Sequence, residues 1–242
     1  MPLPDMNTAD KFIVDRTKAH RNSDVARAVR RTRDRLSQRA GNPEFDRELL
    51  KLHARTVVTS AAAIPLLVLA IAGGGLLIGM SGPILVWATI AVACYTSLAF
   101  FARRIDRAET PRIEVASTAR LFLAFHLLTG LAWAYFAALG CAPCEVDQFA
   151  VVKAVVLLLA MAATAIIASA LNGALRVTFA VPVAAYALLG ANLREPVEAI
   201  MVGLLVVSLP FFDYVASHFH KSALMLLSFR TEKDALIAEL ET

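Results

Sequence analysis

The sequence predicts an all-α, polytopic membrane protein: a six-helix transmembrane bundle with a basic N-terminal helical arm and a C-terminal coiled-coil helix. Three observations predict it. The 242 residues are 58% apolar, and the mean hydropathy of +0.62 is well above that of a soluble domain. Six segments come close to the about 20 apolar residues that a helix needs to cross hydrocarbon. Of 24 Lys and Arg, 13 lie before residue 56. A basic arm ahead of apolar spans marks a cytoplasmic face rather than a nucleic-acid site. Residues 1–55 are polar and the first apolar run is long and late, so no cleavable signal peptide is expected.

The arm, residues 1–55, contains two helix signals. Within 24–39, Val25, Val29, Thr32 and Leu36 form one stripe, and Arg27, Arg30, Arg31, Arg33 and Arg35 lie elsewhere. Ser23 suits its start and Gly41 its end. This helix reads either as a solvated topology signal or as an interfacial helix on anionic headgroups. Asn42-Pro43-Glu44 then looks like an N-cap followed by Pro at the first helical position. That second helix is expected to run on into the first span.

The transmembrane domain, 56–219, holds spans near 56–80, 84–101, 118–139, 149–171, 174–191 and 197–219. The second and fifth are short. Pro182 is expected to kink the fifth, and Pro210 to loosen the sixth by removing a backbone donor. Gly73, Gly74, Gly75 and Gly79 suit close helix packing in the first. The loops alternate in charge. The second carries Arg103, Arg104, Arg107 and Arg112, whereas the first has no base and the third has Glu145 and Asp147 and no base. The alternation predicts an inner (plasma) membrane protein with both termini cytoplasmic.

Few residues in the spans carry chemistry. Cys141 and Cys144 form a C-x-x-C around Pro143 in the acidic third loop. In an oxidising outer compartment a local disulfide there can persist; free thiols, or redox or metal sensing, are the alternatives. Two thiolates alone do not close a zinc site. Cys94 reads as a small packing residue. His126, Lys153 and Asp213 are intramembrane polar candidates, since burying such groups unpaired is costly. His126 is read as a neutral ring hydrogen-bonded to a neighbouring helix. A bis-His haem site would need a second in-membrane His, and none is evident at that depth. Lys153 is expected to snorkel outward and to pair with Glu145 or Asp147. Asp213, with Tyr214, His218 and His220, makes a polar cluster just after Pro210, where a hinge is expected. No catalytic constellation, metal site or cofactor motif is evident in the 242 residues.

The chain from 220 to 242 continues the sixth span with no helix breaker. Leu226, Phe229, Lys233, Leu236 and Leu240 recur at the 3-4 spacing of a coiled-coil seam, with Lys233 as one polar position. Two heptads are short for stability alone but suit the start of a parallel dimer.

The stretch 227–241, LSFRTEKDALIAELE, resembles the segment that follows the last membrane helix in many bacterial sensor histidine kinases, often hybrid ones. It is similar also to the linker in membrane-bound diguanylate cyclases. Phe229, Glu232, Leu236 and Leu240 occupy the places of their Phe-x-x-Glu-x-x-x-Leu-x-x-x-Leu pattern. The resemblance covers about 15 residues. It implies a sensory and dimerisation module, with kinase or cyclase activity only if an output domain follows. Its implied partners are the lipid bilayer, a second copy through the C-terminal helix, and an unknown small or membrane-soluble ligand, with no nucleic acid. A small transporter or channel is the rival class, disfavoured because the polar groups in the spans are few and scattered.

Overall fold

The computed structural model describes residues 43–80, 82–140 and 149–240, and only the backbone for 43, 190, 227, 228 and 230–240. Among these residues all the regular structure is helical. Seven α-helices follow in order: α1 (Pro43–Thr59), α2 (Ala63–Leu77), α3 (Gly82–Arg107), α4 (Val115–Ala138), α5 (Phe149–Ile167), α6 (Ala174–Ala185) and α7 (Pro196–Leu240). A 3₁₀ turn, Thr110–Arg112, joins α3 to α4, and a π-helical turn, Tyr186–Gly190, ends α6. The arm helix expected within 24–39 lies outside the described residues.

Among the described residues four helices are long and apolar enough to cross a membrane: α3, α4, α5 and the Pro196–Leu226 part of α7. The pair α1 and α2 makes a fifth if it is one bent span, and Ala174–Leu189 is a shorter apolar helix. The chain is therefore a multi-pass helical membrane protein. The second predicted span is not short: α3 is a 26-residue helix, because the basic residues expected in a loop continue its last turns.

The second arm helix does not run straight into the first span. It bends by 42° before α2. Three hydroxyls turn back on the backbone here: Thr56 Oγ1 donates to Leu52 O, Thr59 Oγ1 to Arg55 O, and Ser60 Oγ to Thr56 O. Such bonds compete with the helical ladder and bend it. Pro65, in the first turn of α2, has no N–H to offer Ala61. The resulting elbow is the feature that opens the cavities described below.

Helix α1 is part of the bundle. Phe45, Leu49, Leu50, His53, Ala54 and Val57 are buried at helical spacing, while Glu44, Glu48 and Arg55 are exposed. It runs antiparallel to α3 and is pinned at the basic end. There Lys51 Nζ donates to Ala108 O at 3.0 Å and Arg47 Nε to Ile113 O at 3.1 Å.

The turn from α2 to α3 is set by Gly79 at φ 94. Its N–H bonds Leu76 O, and the next N–H, of Met80, bonds Gly75 O at 2.9 Å. This is the Schellman pattern, which needs a left-handed residue at the first position past the helix. Of the glycines expected to allow close packing, Gly75 is pressed against a neighbour, the Ile84 side chain. Gly73 and Gly74 face open space.

The core is aromatic. Trp87, Trp133 and Phe136 pack together, with ring centroids 4.6 to 5.9 Å apart. Trp133 Nε1 donates to Tyr95 Oη at 2.8 Å, a buried bond between α4 and α3. In lipid, helices are held by packing and such bonds rather than by hydrophobic transfer.

Candidate functional site

The densest buried polar group lies where α1, α4 and α6 meet. His126 on α4 is 3% exposed and His53 on α1 is 0% exposed. Their Nε2 atoms are 3.3 Å apart. On its other side His126 Nδ1 is 3.2 Å from Thr178 Oγ1 on α6.

The partners assign the protons for two neutral rings. Thr178 Oγ1 donates to Ala174 O, one helical turn back, at 2.8 Å. Its only proton is then committed, so it accepts from His126 Nδ1–H. His126 Nε2 is left as an acceptor, and His53 Nε2–H donates to it. His53 Nδ1 keeps a lone pair that is buried without a partner. Phe122 stands edge-on to the His53 ring at 4.8 Å and closes that side. The chain Ala174–Thr178–His126–His53 thus joins three helices with one run of hydrogen bonds.

This corrects one expectation. A second buried His does accompany His126, and it comes from a segment assigned to the cytoplasmic arm. The two rings are in direct contact at 3.3 Å, which leaves no gap for a porphyrin plane between them. Among the described residues no three His, Cys, Asp or Glu side chains gather as a metal site. The signal that could have found His53 is the stripe of Phe45, Leu49, Leu50, Ala54 and Val57 around it.

Beside His126, at the elbow, is a small cavity walled by Ser60, Tyr95 and Thr164 among apolar side chains, with about 20 Å³ of room. That is enough for one water. Thr164 Oγ1, on its wall, is buried without a hydrogen-bond partner.

Lys153 does not snorkel. It is 3% exposed, and its Nζ donates to Ala137 O and Leu139 O at 3.2 and 2.9 Å. These are carbonyls at the C-terminal end of α4, which lack helical donors and carry the negative end of the helix dipole. The Phe149 and Tyr186 rings flank the ammonium at 5.3 and 5.7 Å, and Tyr186 Oη donates to Ala150 O. Burial follows because the unfilled carbonyls at the end of α4 lie within reach of the ammonium. Glu145 and Asp147 lie outside the described residues.

The cluster expected around Asp213 separates into distinct contacts. Asp213 on α7 pairs with Arg176 on α6 at 2.8 Å. His220 Nδ1 is 3.2 Å from Ala170 O, in the turn after α5. Tyr214 stacks on His218. Arg176 belongs to no motif in the sequence. Its partner is 37 residues away, and nothing local signals the pairing. Helix α7 passes through Pro210 without interruption.

Of the predicted seam, Leu226 and Phe229 are exposed, at 75% and 57%. Lys233, Leu236 and Leu240 lie on the same helix, their side chains outside the described set. Cys141 and Cys144 lie outside it as well. Cys94 is a free, partly buried thiol.

No protein-family model matches the chain, and no curated protein or solved structure matches it significantly.

Proposed function

We propose that this chain is the membrane-embedded sensory and dimerisation module of a bacterial signal-transduction protein, of the histidine-kinase type. It crosses the inner membrane six times with both termini cytoplasmic; the bent α1–α2 pair is the first crossing and α6 the fifth. A signal biases two packings of the bundle, and α7 carries the difference into the cytoplasm.

The observation that carries this reading is α7. It is one helix of 45 residues, Pro196–Leu240, about 67 Å long at 1.5 Å per residue and so about twice what the hydrocarbon requires. Only 6% of its membrane window is buried, against 33% or more for α3, α4 and α5. A helix on the rim, fastened by Asp213 to Arg176 and by His220 to Ala170, follows a movement of α5 or α6 as a rod. Leu226 and Phe229 are exposed where the rod leaves the bundle, as a seam awaiting a second copy would be.

Single-Cys cross-linking along 224–240 in native membranes tests it, with Cys94, Cys141 and Cys144 replaced by Ser. Cross-links are expected to be strong at 226, 229, 233, 236 and 240 and weak at 227, 231 and 238. Uniform or absent cross-linking removes the dimeric rod and favours a helix lying on the membrane surface.

A further inference from the structure

We propose that a groove at the α1–α2 elbow is a binding site for a single-chain anionic amphiphile, a long-chain carboxylate, with Arg103 as its counter-ion. This names the class of signal for the sensory reading and depends on that reading only for its effect on α7.

The groove has about 180 Å³ of room and is open on one side. Val58 and Ala61 line it from the elbow; Thr96, Ala99, Phe100 and Arg103 line it from α3. Its polarity is directional. The contacts of Lys51 with Ala108 and of Arg47 with Ile113 fix the basic end of the α1–α3 pair. Arg103 is the groove residue nearest that end. From there the lining climbs to Thr96, about 10 Å along the helix, through side chains that carry no charge. A ligand that fits has its anion at Arg103 and its chain along Phe100, Ala99 and Thr96.

Arg103 is available for this. Among the described residues Arg103, like Arg55, Arg104, Arg107 and Arg194, has no side-chain hydrogen-bond or ion-pair partner, and of these it is the one that lines the groove. One guanidinium fork matches one carboxylate with two parallel bonds. Ala61, Ala99 and Thr96 are the small side chains of its lining, and the proposed occupant is one alkyl chain rather than the two of a phospholipid.

The groove is also placed to report its occupancy. Ala61 and Ala99 belong at once to the groove and to the inner cavity that holds His126 and Thr164. A chain lying in the groove bears on that shared wall and on the elbow. From the elbow, α1 is linked through His53 and His126 to Thr178 on α6. Two residues before Thr178 is Arg176, which holds Asp213 of α7.

The test uses the whole chain in nanodiscs of zwitterionic phosphatidylcholine, at about pH 8, where a carboxyl is ionised. A long-chain carboxylate with a photoreactive group in mid-chain is the probe. Adducts are expected on peptides containing Val58 to Ala61 and Thr96 to Phe100. Unlabelled carboxylate displaces the probe and its methyl ester does not. Arg103→Gln lowers labelling about tenfold, as loss of a charge-assisted bond would. Arg120→Gln, a cation in the first turns of α4, leaves it unchanged. Ala99→Leu, which narrows the groove, also lowers labelling while thermal unfolding shows the fold retained. Equal displacement by the ester, indifference to Arg103→Gln, or equal displacement by anionic phosphatidylglycerol overturns the proposal; the last marks an ordinary lipid site. A second arm adds the carboxylate to the Phe229→Cys protein and reads cross-linking. A changed yield joins the site to the sensory reading. Specific labelling with an unchanged yield keeps the site and removes the sensory role.

Discussion

The α-carbon of Gly130 on α4 lies directly against the carbonyl of Thr178 on α6. A Cβ at Gly130 would overlap the Thr178 oxygen and come within 3.0 Å of its carbonyl carbon. Thr178 is four residues before Pro182, so its carbonyl has no helical N–H to accept. Gly130 lets α4 approach that oxygen closely enough for a Cα–H contact. The sequence marked Pro182 as a kink; its packing consequence is this close approach, in the most extensive helix pairing of the bundle.

Gly130→Ala should therefore destabilise the protein by about 1–3 kcal/mol, since the obstacle is backbone and cannot rotate away. Gly74→Ala, with nothing within 4 Å, should change stability by a few tenths of that. Thermal unfolding in detergent followed by circular dichroism compares them. Equal stabilities of the two variants would show that α4 and α6 part freely at this point.

The histidine pair makes a prediction about coupling. His53→Leu or His126→Leu each removes one partner and leaves the other ring buried, at about 1–2 kcal/mol apiece. The double substitution leaves no orphan between them, so its loss should fall short of the sum by 0.5 kcal/mol or more, within the usual range for contacting residues. Additive losses would mean that the 3.3 Å contact carries no energy.

The Arg176–Asp213 pair should matter more for position than for stability. Arg176 is 61% exposed, and exposed pairs contribute under about 1 kcal/mol. Asp213→Ala should hardly move the unfolding temperature but should broaden spin-label distances between positions 171 and 221. The swap of Arg176→Asp with Asp213→Arg should narrow them again. Unchanged distances in Asp213→Ala would show that α7 is held by packing alone.

The proposed orientation is checked by fusions to a reporter active only outside the membrane. Activity is expected after Pro83, Cys144 and Leu193, and none after Arg107 or at Thr242. Activity at Thr242 overturns the parity. In the same cells, labelling of Cys141 and Cys144 should rise when reductant is added. Full labelling without reductant removes the disulfide.

The sequence by itself determined the helical membrane class. A run of about 20 apolar residues has one stable form in lipid, because every backbone group must be satisfied within the segment. It determined the length of α7 for a similar local reason: no glycine lies beyond Gly203 and no proline beyond Pro210, so the helix has no cause to stop before Leu240. It also marked His126, Lys153 and Asp213 as residues needing partners. Who those partners are was decided by the tertiary structure. His53 meets His126 across 73 residues and Asp213 meets Arg176 across 37. Lys153 turned inward because α4 ends beside it with unfilled carbonyls. Hydropathy averages over a window and so placed α1 with the polar arm. The stripe that buries one of its faces becomes meaningful only when α3 and α4 are there to cover it.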